Sequence, residues 1–209
     1  YDFPYLLFVR SALPFDEISA LHLIEEELDT IPSVPGDLKI VYRPHPWQQK
    51  RNVSAQFTAT EFRRTILDKQ IQEAYENGVK EERTQLSFQP ELAYYPHLLS
   101  HATVVIGPLT TMLFEGTLCL RPVIALSYPD GHHFTTNRRY LSHFDGLEAV
   151  PGFTFCDLPS DLGPALQSVY PTTSIGARES DLVTKYFLHR DTNQYADRLN
   201  KLIDEIVAK

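Results

Sequence analysis

The 209-residue chain has little cysteine, no excess of positive charge and no long apolar run, and each shortage removes a class of protein. Its two cysteines, Cys119 and Cys156, stand in unrelated contexts, an apolar helix and a strand end. They suggest neither a disulfide framework nor a zinc site, and they fit a reducing compartment. Lys and Arg total 19 against 27 Asp and Glu, a net charge of −8, which argues against a surface built for nucleic-acid phosphates. A local basic pocket stays open, because net charge does not say where the charges sit. No apolar stretch approaches the ~20 residues of a membrane helix. Signal-peptide, internal-repeat and low-complexity patterns are missing as well. The chain opens on YDFPYLLFV without Met, and it is expected to be an excised piece of a longer protein.

What remains is a soluble globular composition with ample material for one full hydrophobic core. Tyr5 to Arg10 (YLLFVR) is a short continuous apolar run, the pattern of a strand buried on both faces. ISALHLIEEELD follows, with Ile18, Leu21, Ile24 and Leu28 at helical spacing and an acidic outer face read as solvated surface. Further strands are expected at Leu38–Arg43, Thr103–Ile106, Pro122–Ser127 and in GFTFCDL, with a weaker edge strand at Asn52–Phe57 and a short one in EERTQLSF. Helices are expected at Asp68–Asn77, Glu91–Ala102 (interrupted or started at Pro96), Thr110–Leu118 and PSDLGPALQSVY, and a terminal helix over 194–209. Short apolar strands alternating with amphipathic helices predict an α/β fold, an open and mostly parallel sheet with helices on both faces. Ligands of such sheets bind at the carboxyl ends of the strands, where the strand order reverses.

Three strand ends are unusual: SALPFDE, RPHPW and GPLTT. In VVIGPLTTMLFEGTLC an apolar run breaks at Gly107 and Pro108, and Thr110 and Thr111 open a helix. Free backbone N–H groups, two hydroxyls and the positive end of a helix dipole suit phosphate; plain threonine capping is the alternative. Glu115 lies among Met112, Leu113, Phe114 and Leu118, beyond the reach of a capping box if Thr111 is the cap. A carboxylate there needs a partner, either the two hydroxyls of a ribose or a structural arginine such as Arg121. In RPHPW, Arg43 ends a buried strand and would project its guanidinium into the crevice, while His45 is held between two prolines. Both are phosphate-binding candidates; the alternative is an exposed Arg and a packed His. The stretch YPDGHHFTTNRRYLSHF concentrates His132, His133, Arg138, Arg139 and His143. Adjacent histidines without matching Asp, Cys or Glu spacing do not read as a metal site, so this segment is expected to form a flap over the crevice.

These segments resemble the C-terminal, donor-binding half of GT-B glycosyltransferases, bacterial surface-polysaccharide enzymes of the Kdo-transferase and CDP-glycerol types among them. YLLFVRSALPFDE resembles the first strand and loop of that half, KIVYRPHPW its [KR]PHP segment, and HLLSHATVVIGPLTTMLFEGTLCLRPVIAL its diphosphate-binding helix region. The resemblance implies one Rossmann-like nucleotide-sugar-binding domain over 1–209. Arg43, His45, Thr110 and Thr111 would meet the donor phosphates and Glu115 the ribose. Thr110 and Gly116 stand where many relatives have serine and alanine. It further implies no cofactor and no metal, a nucleotide-sugar donor as substrate, a cytoplasmic location (at most peripheral to the inner membrane through a full-length protein), and an acceptor site and catalytic base in a missing N-terminal half. A CDP-glycerol-type glycerophosphotransferase and a non-catalytic nucleotide-binding or assembly module are the competing readings.

Overall fold

In a computed structural model of the protein, residues 1–44, 57, 59–73, 93–133 and 144–170 are described. Among these residues six parallel strands form one sheet: β1 (Tyr5–Val9), β2 (Lys39–Arg43), β3 (Thr65–Leu67), β4 (Val104–Pro108), β5 (Val123–Leu126) and β6 (Phe153–Cys156). Their spatial order is β3-β2-β1-β4-β5-β6. The chain steps outward from β1 to β3, then returns to place β4 on the other side of β1. The order therefore reverses between β1 and β4, as in doubly wound folds.

Every residue of β1, β4 and β5 is buried, which is why these strands read as unbroken apolar runs rather than as alternation. Their side chains still alternate between two cores. Leu6, Phe8, Ile40, Ile106 and Leu126 face α1 (Glu17–Thr30) and α4 (Leu162–Val169). Leu7, Val9, Val41, Val105 and Ala125 face α2 (Tyr94–His101) and α3 (Thr111–Leu118). The expected α/β architecture with helices on both faces is what the chain adopts.

Several local expectations are corrected. The apolar run does not break at Gly107: β4 continues through Gly107 and Pro108, which lie opposite Ala125 and Leu126 of β5. Pro108 is the last residue of the strand and lies beyond the register of β4 with β1, which ends at Ile106. A Cβ on Gly107 would lie 2.0 Å from the Val9 carbonyl oxygen, so only glycine lets β4 approach β1 so closely. The acidic face of α1 is not wholly solvated, since Glu25 is 1% exposed. Its carboxylate accepts from the amides of Arg63 (3.1 Å), Arg64 (2.8 Å) and Thr65 (2.8 Å) and from the Thr65 hydroxyl (2.8 Å). These bonds fasten the start of β3, an edge strand that sequence pattern alone misses. Pro96 falls in the first turn of α2, where it costs no helical hydrogen bond.

Residues 69–73 are helical, while the rest of the expected Asp68–Asn77 helix lies outside the described residues. So do the strand in EERTQLSF, the terminal helix over 194–209 and, apart from Phe57, the edge strand at Asn52–Phe57. Among the described residues no helix is long and apolar enough to cross a membrane.

Candidate functional site

The carboxyl ends of the strands carry three groups of polar side chains. The first surrounds Arg43, the last residue of β2. Its position after Val41 and Tyr42 turns the side chain to the α2–α3 face, where it is 4% exposed. The guanidinium lies 3.2 Å from Asp68, a carboxylate at the end of β3 that is itself fully buried. A buried charge needs such a partner. Asp68 is held in turn by the Tyr94 hydroxyl (3.0 Å) and the Ile71 amide (3.1 Å). On its other side Arg43 lies over the Tyr95 ring, 5.2 Å from the centroid. The guanidinium is thus turned to protein groups rather than projecting free into the crevice.

Tyr95 brings this group close to α3, near enough to Glu115 for its phenol to feel that carboxylate. Burial first, and then the neighbouring Glu115 charge, push the Tyr95 phenol far above its ordinary range, against the opposing influence of Arg43. Two of the segments singled out in the sequence, RPHPW and GPLTTMLFEG, thus come near one another around this one tyrosine. A close neighbour of Glu115 is Tyr95, a residue that sequence reasoning passed over.

At the start of α3 the cap is Thr110, not Thr111, in extended backbone conformation (φ −149°, ψ 152°). Its side chain makes no capping hydrogen bond. Threonine capping in the usual sense, with the hydroxyl closing on an amide of the first turn, is not what this residue does. Thr111 is exposed. Counting from Thr110, Glu115 is two positions beyond the capping-box site, so the box cannot account for it.

The second group joins SALPFDE to the histidine segment. Asp16 caps α1, accepting from the Ser19 amide and hydroxyl, and its own amide donates to Asp130 at 2.7 Å. Asp130 also accepts from the amides of His132 (2.9 Å) and His133 (2.7 Å) and from His133 Nδ1 (2.7 Å). Burial alone would raise the Asp130 pKa, but these donors outweigh it and hold the carboxyl down at about 2. His132 and His133 are thereby tied to the first turn of α1. His45, Arg138, Arg139 and His143 lie outside the described residues.

A third group was not foreseen. Glu17, the first residue of α1, is buried between Arg10, with which it forms an ion pair, and the Tyr42 hydroxyl, which donates to it. Burial pushes the Glu17 carboxyl up to about 7, against Arg10 and Tyr42, which favour the charged form. A glutamate opening an amphipathic helix looks like ordinary dipole chemistry in sequence. Only the sheet shows that β1 and β2 close over it.

Among the described residues, no set of three or more His, Cys, Asp or Glu side chains is placed to hold a metal ion. No protein-family model and no curated protein matches the sequence. Among solved structures the chain is similar to a variant of the wall teichoic acid polymerase TagF, at 13% identity and a TM-score of 0.48, over 100% of this chain and 44% of that one. It is also similar to an α,α-trehalose-phosphate synthase (UDP-forming) from Burkholderia vietnamiensis, at 10% identity and a TM-score of 0.45, over 87% of this chain and 37% of that one. The chain spans less than half the length of either protein.

Proposed function

We propose that the chain is the donor-binding domain of a GT-B-type glycosyltransferase, spanning 1–209, that takes a CMP-, CDP- or UDP-linked sugar in the synthesis of a bacterial surface polysaccharide. The observation that carries this reading is the place of Arg43, over the Tyr95 ring and with Glu115 of α3 nearby, at the carboxyl ends of the strands beside the β1–β4 reversal. Phosphate chemistry and ribose chemistry are then neighbours, as a nucleotide requires. Thr110, Thr111 and the amides opening α3 receive the phosphates, with Arg43 and His45 supplying positive charge. Because Arg43 is buried, direct contact with phosphate requires it to exchange Asp68 or Tyr95 for phosphate oxygens. Glu115 accepts from the ribose hydroxyls.

Catalysis by this half is positioning and electrostatic: the helix terminus and the cations stabilise the departing nucleotide phosphate without a metal ion. The acceptor site and the base that activates it belong to a partner half outside this chain.

Calorimetric titration of the chain with CMP, CDP, UDP and GDP, without added metal, tests the reading. Saturable binding of one nucleotide is expected, with a loss of about tenfold or more in Glu115→Ala, the scale of a hydrogen bond to a charged group. Arg43→Ala strands the buried Asp68 and so needs a folding control. No binding to any of the four, or binding unaffected by Glu115→Ala, overturns the proposal.

A further inference from the structure

Away from the carboxyl ends of the strands, α2 closes on a pair of histidines, His97 and His101, four residues apart and both exposed. Side chains at that spacing are neighbours on a helix surface. The two imidazole rings stand 4.0 Å apart between centroids, tilted by 42°. His101 Nδ1 lies 2.9 Å from the His97 carbonyl oxygen and 3.1 Å from the Ser100 hydroxyl. A carbonyl oxygen only accepts, so Nδ1 carries the proton. The Ser100 hydroxyl itself donates to the His97 carbonyl at 3.1 Å, which leaves its lone pairs to face that Nδ1–H. The neutral His101 ring therefore keeps its own lone pair on Nε2. A histidine that donates one ring nitrogen to a backbone carbonyl has the tautomer and the fixed orientation of a metal ligand.

The electrostatic setting favours a cation as well. The last carbonyls of a helix carry partial negative charge, and the pair spans the last turn of α2. The chain as a whole has a net charge of −8, which raises the local concentration of cations. Among the described residues no group of three or more His, Cys, Asp or Glu forms a metal cluster, so the pair supplies two ligands and water completes the shell. Two imidazoles select a borderline cation such as Cu²⁺, Ni²⁺ or Zn²⁺ over Mg²⁺ or Ca²⁺, which take oxygen ligands.

We propose that His97 and His101 form a two-histidine chelate for a borderline divalent cation on the closing turn of α2. β4 begins at Val104, three residues after His101. The site therefore lies at the amino edge of the sheet and is independent of the nucleotide reading. Held at about 2.0–2.1 Å from one nitrogen of each ring, the cation ties residue 97 to residue 101 and keeps the last turn closed.

The experiment uses the untagged chain, stripped of metal with a chelator, and the variants His97→Gln, His101→Gln and His132→Gln. Each is titrated calorimetrically with the chlorides of Cu²⁺, Ni²⁺, Zn²⁺ and Mg²⁺, and melting temperatures in chelator verify folding. Saturable binding is expected, tightest for Cu²⁺ and undetected for Mg²⁺. His97→Gln and His101→Gln are each expected to lower Cu²⁺ affinity about tenfold or more, because the second ligand is no longer intramolecular. His132→Gln is expected to leave it unchanged. Amide hydrogen exchange with saturating Zn²⁺ is expected to slow at 98–102 and not across the sheet; if a variant melts early, this measurement on the wild type decides alone. A chain that binds none of the three borderline cations overturns the proposal, as does Cu²⁺ affinity that survives either substitution. An equal loss in His132→Gln, or exchange that slows evenly throughout, overturns it too.

Discussion

Replacing Glu17 by Gln should remove a pH dependence of stability that the wild type carries near neutrality. The carboxyl rises from an ordinary 4.5 to about 7 in the folded protein, burial being the largest cause. The folded state therefore holds the proton more tightly than the unfolded chain. Below pH 4.5 both states are protonated and the burial costs nothing in charge. As pH rises toward 7 the unfolded chain ionises first, and stability falls by up to one proton's worth per unit. Above 7 both states are ionised and the full cost stands.

The shift from 4.5 to about 7 corresponds, at about 1.4 kcal/mol per unit, to about 3 kcal/mol. Glutamine keeps the shape and an acceptor for the Tyr42 hydroxyl but binds no proton. Urea unfolding followed by circular dichroism at pH 5, 6, 7 and 8 gives the assay. The stability difference, wild type minus Glu17→Gln, should fall by about 2–3 kcal/mol between pH 5 and pH 8. Every other titrating group is common to both proteins and cancels in the difference. Two curves that run parallel within about 0.5 kcal/mol would mean that Glu17 is ionised throughout, with Arg10 winning over burial.

Two further substitutions test the framework that holds the site. Gly107→Ala places a Cβ 2.0 Å from the Val9 carbonyl oxygen, and a backbone atom cannot swing aside. A loss of about 1–3 kcal/mol or more in urea unfolding is expected, and wild-type stability would show that β1 and β4 are less tightly apposed. Glu25→Gln turns an amide NH2 into a cradle of donors from Arg63, Arg64 and Thr65. It should cost about 2–4 kcal/mol, with hydrogen exchange accelerating first at Thr65–Leu67; uniform exchange across the sheet would contradict a local role.

The strands buried on both faces were legible because such burial leaves no polar alternation to confuse the reading: β1, β4 and β5 all appear as apolar runs. β3 was not, since three residues carry no period and its anchor, Glu25, lies forty residues earlier. The candidate site divides in the same way. Arg43, Thr110 and Glu115 stand out because each breaks a local rule, a charge or hydroxyl where the neighbours are apolar. Tyr95 and Asp68 break none. Their significance arises only when α2 and β3 are set beside β2, and pairings between elements leave no mark in either segment alone. The bond from Asp16 to Asp130 spans 114 positions, which no spacing rule could have suggested.

The reversal of strand order also sets a timetable for making the protein. β1 can meet β2 as soon as about 35 residues have followed it, but its other neighbour, β4, comes about 95 residues later in the chain. At roughly 5–20 residues per second of synthesis, one edge of Tyr5–Val9 waits for about 5–20 s with its hydrogen-bonding groups open. Such an edge is a template for any passing strand. The segment at the heart of the finished sheet is thus the one most exposed to error on the ribosome. Changes in Leu6, Leu7 or Phe8 should therefore register as lost yield during synthesis before they register as lost stability in the folded protein.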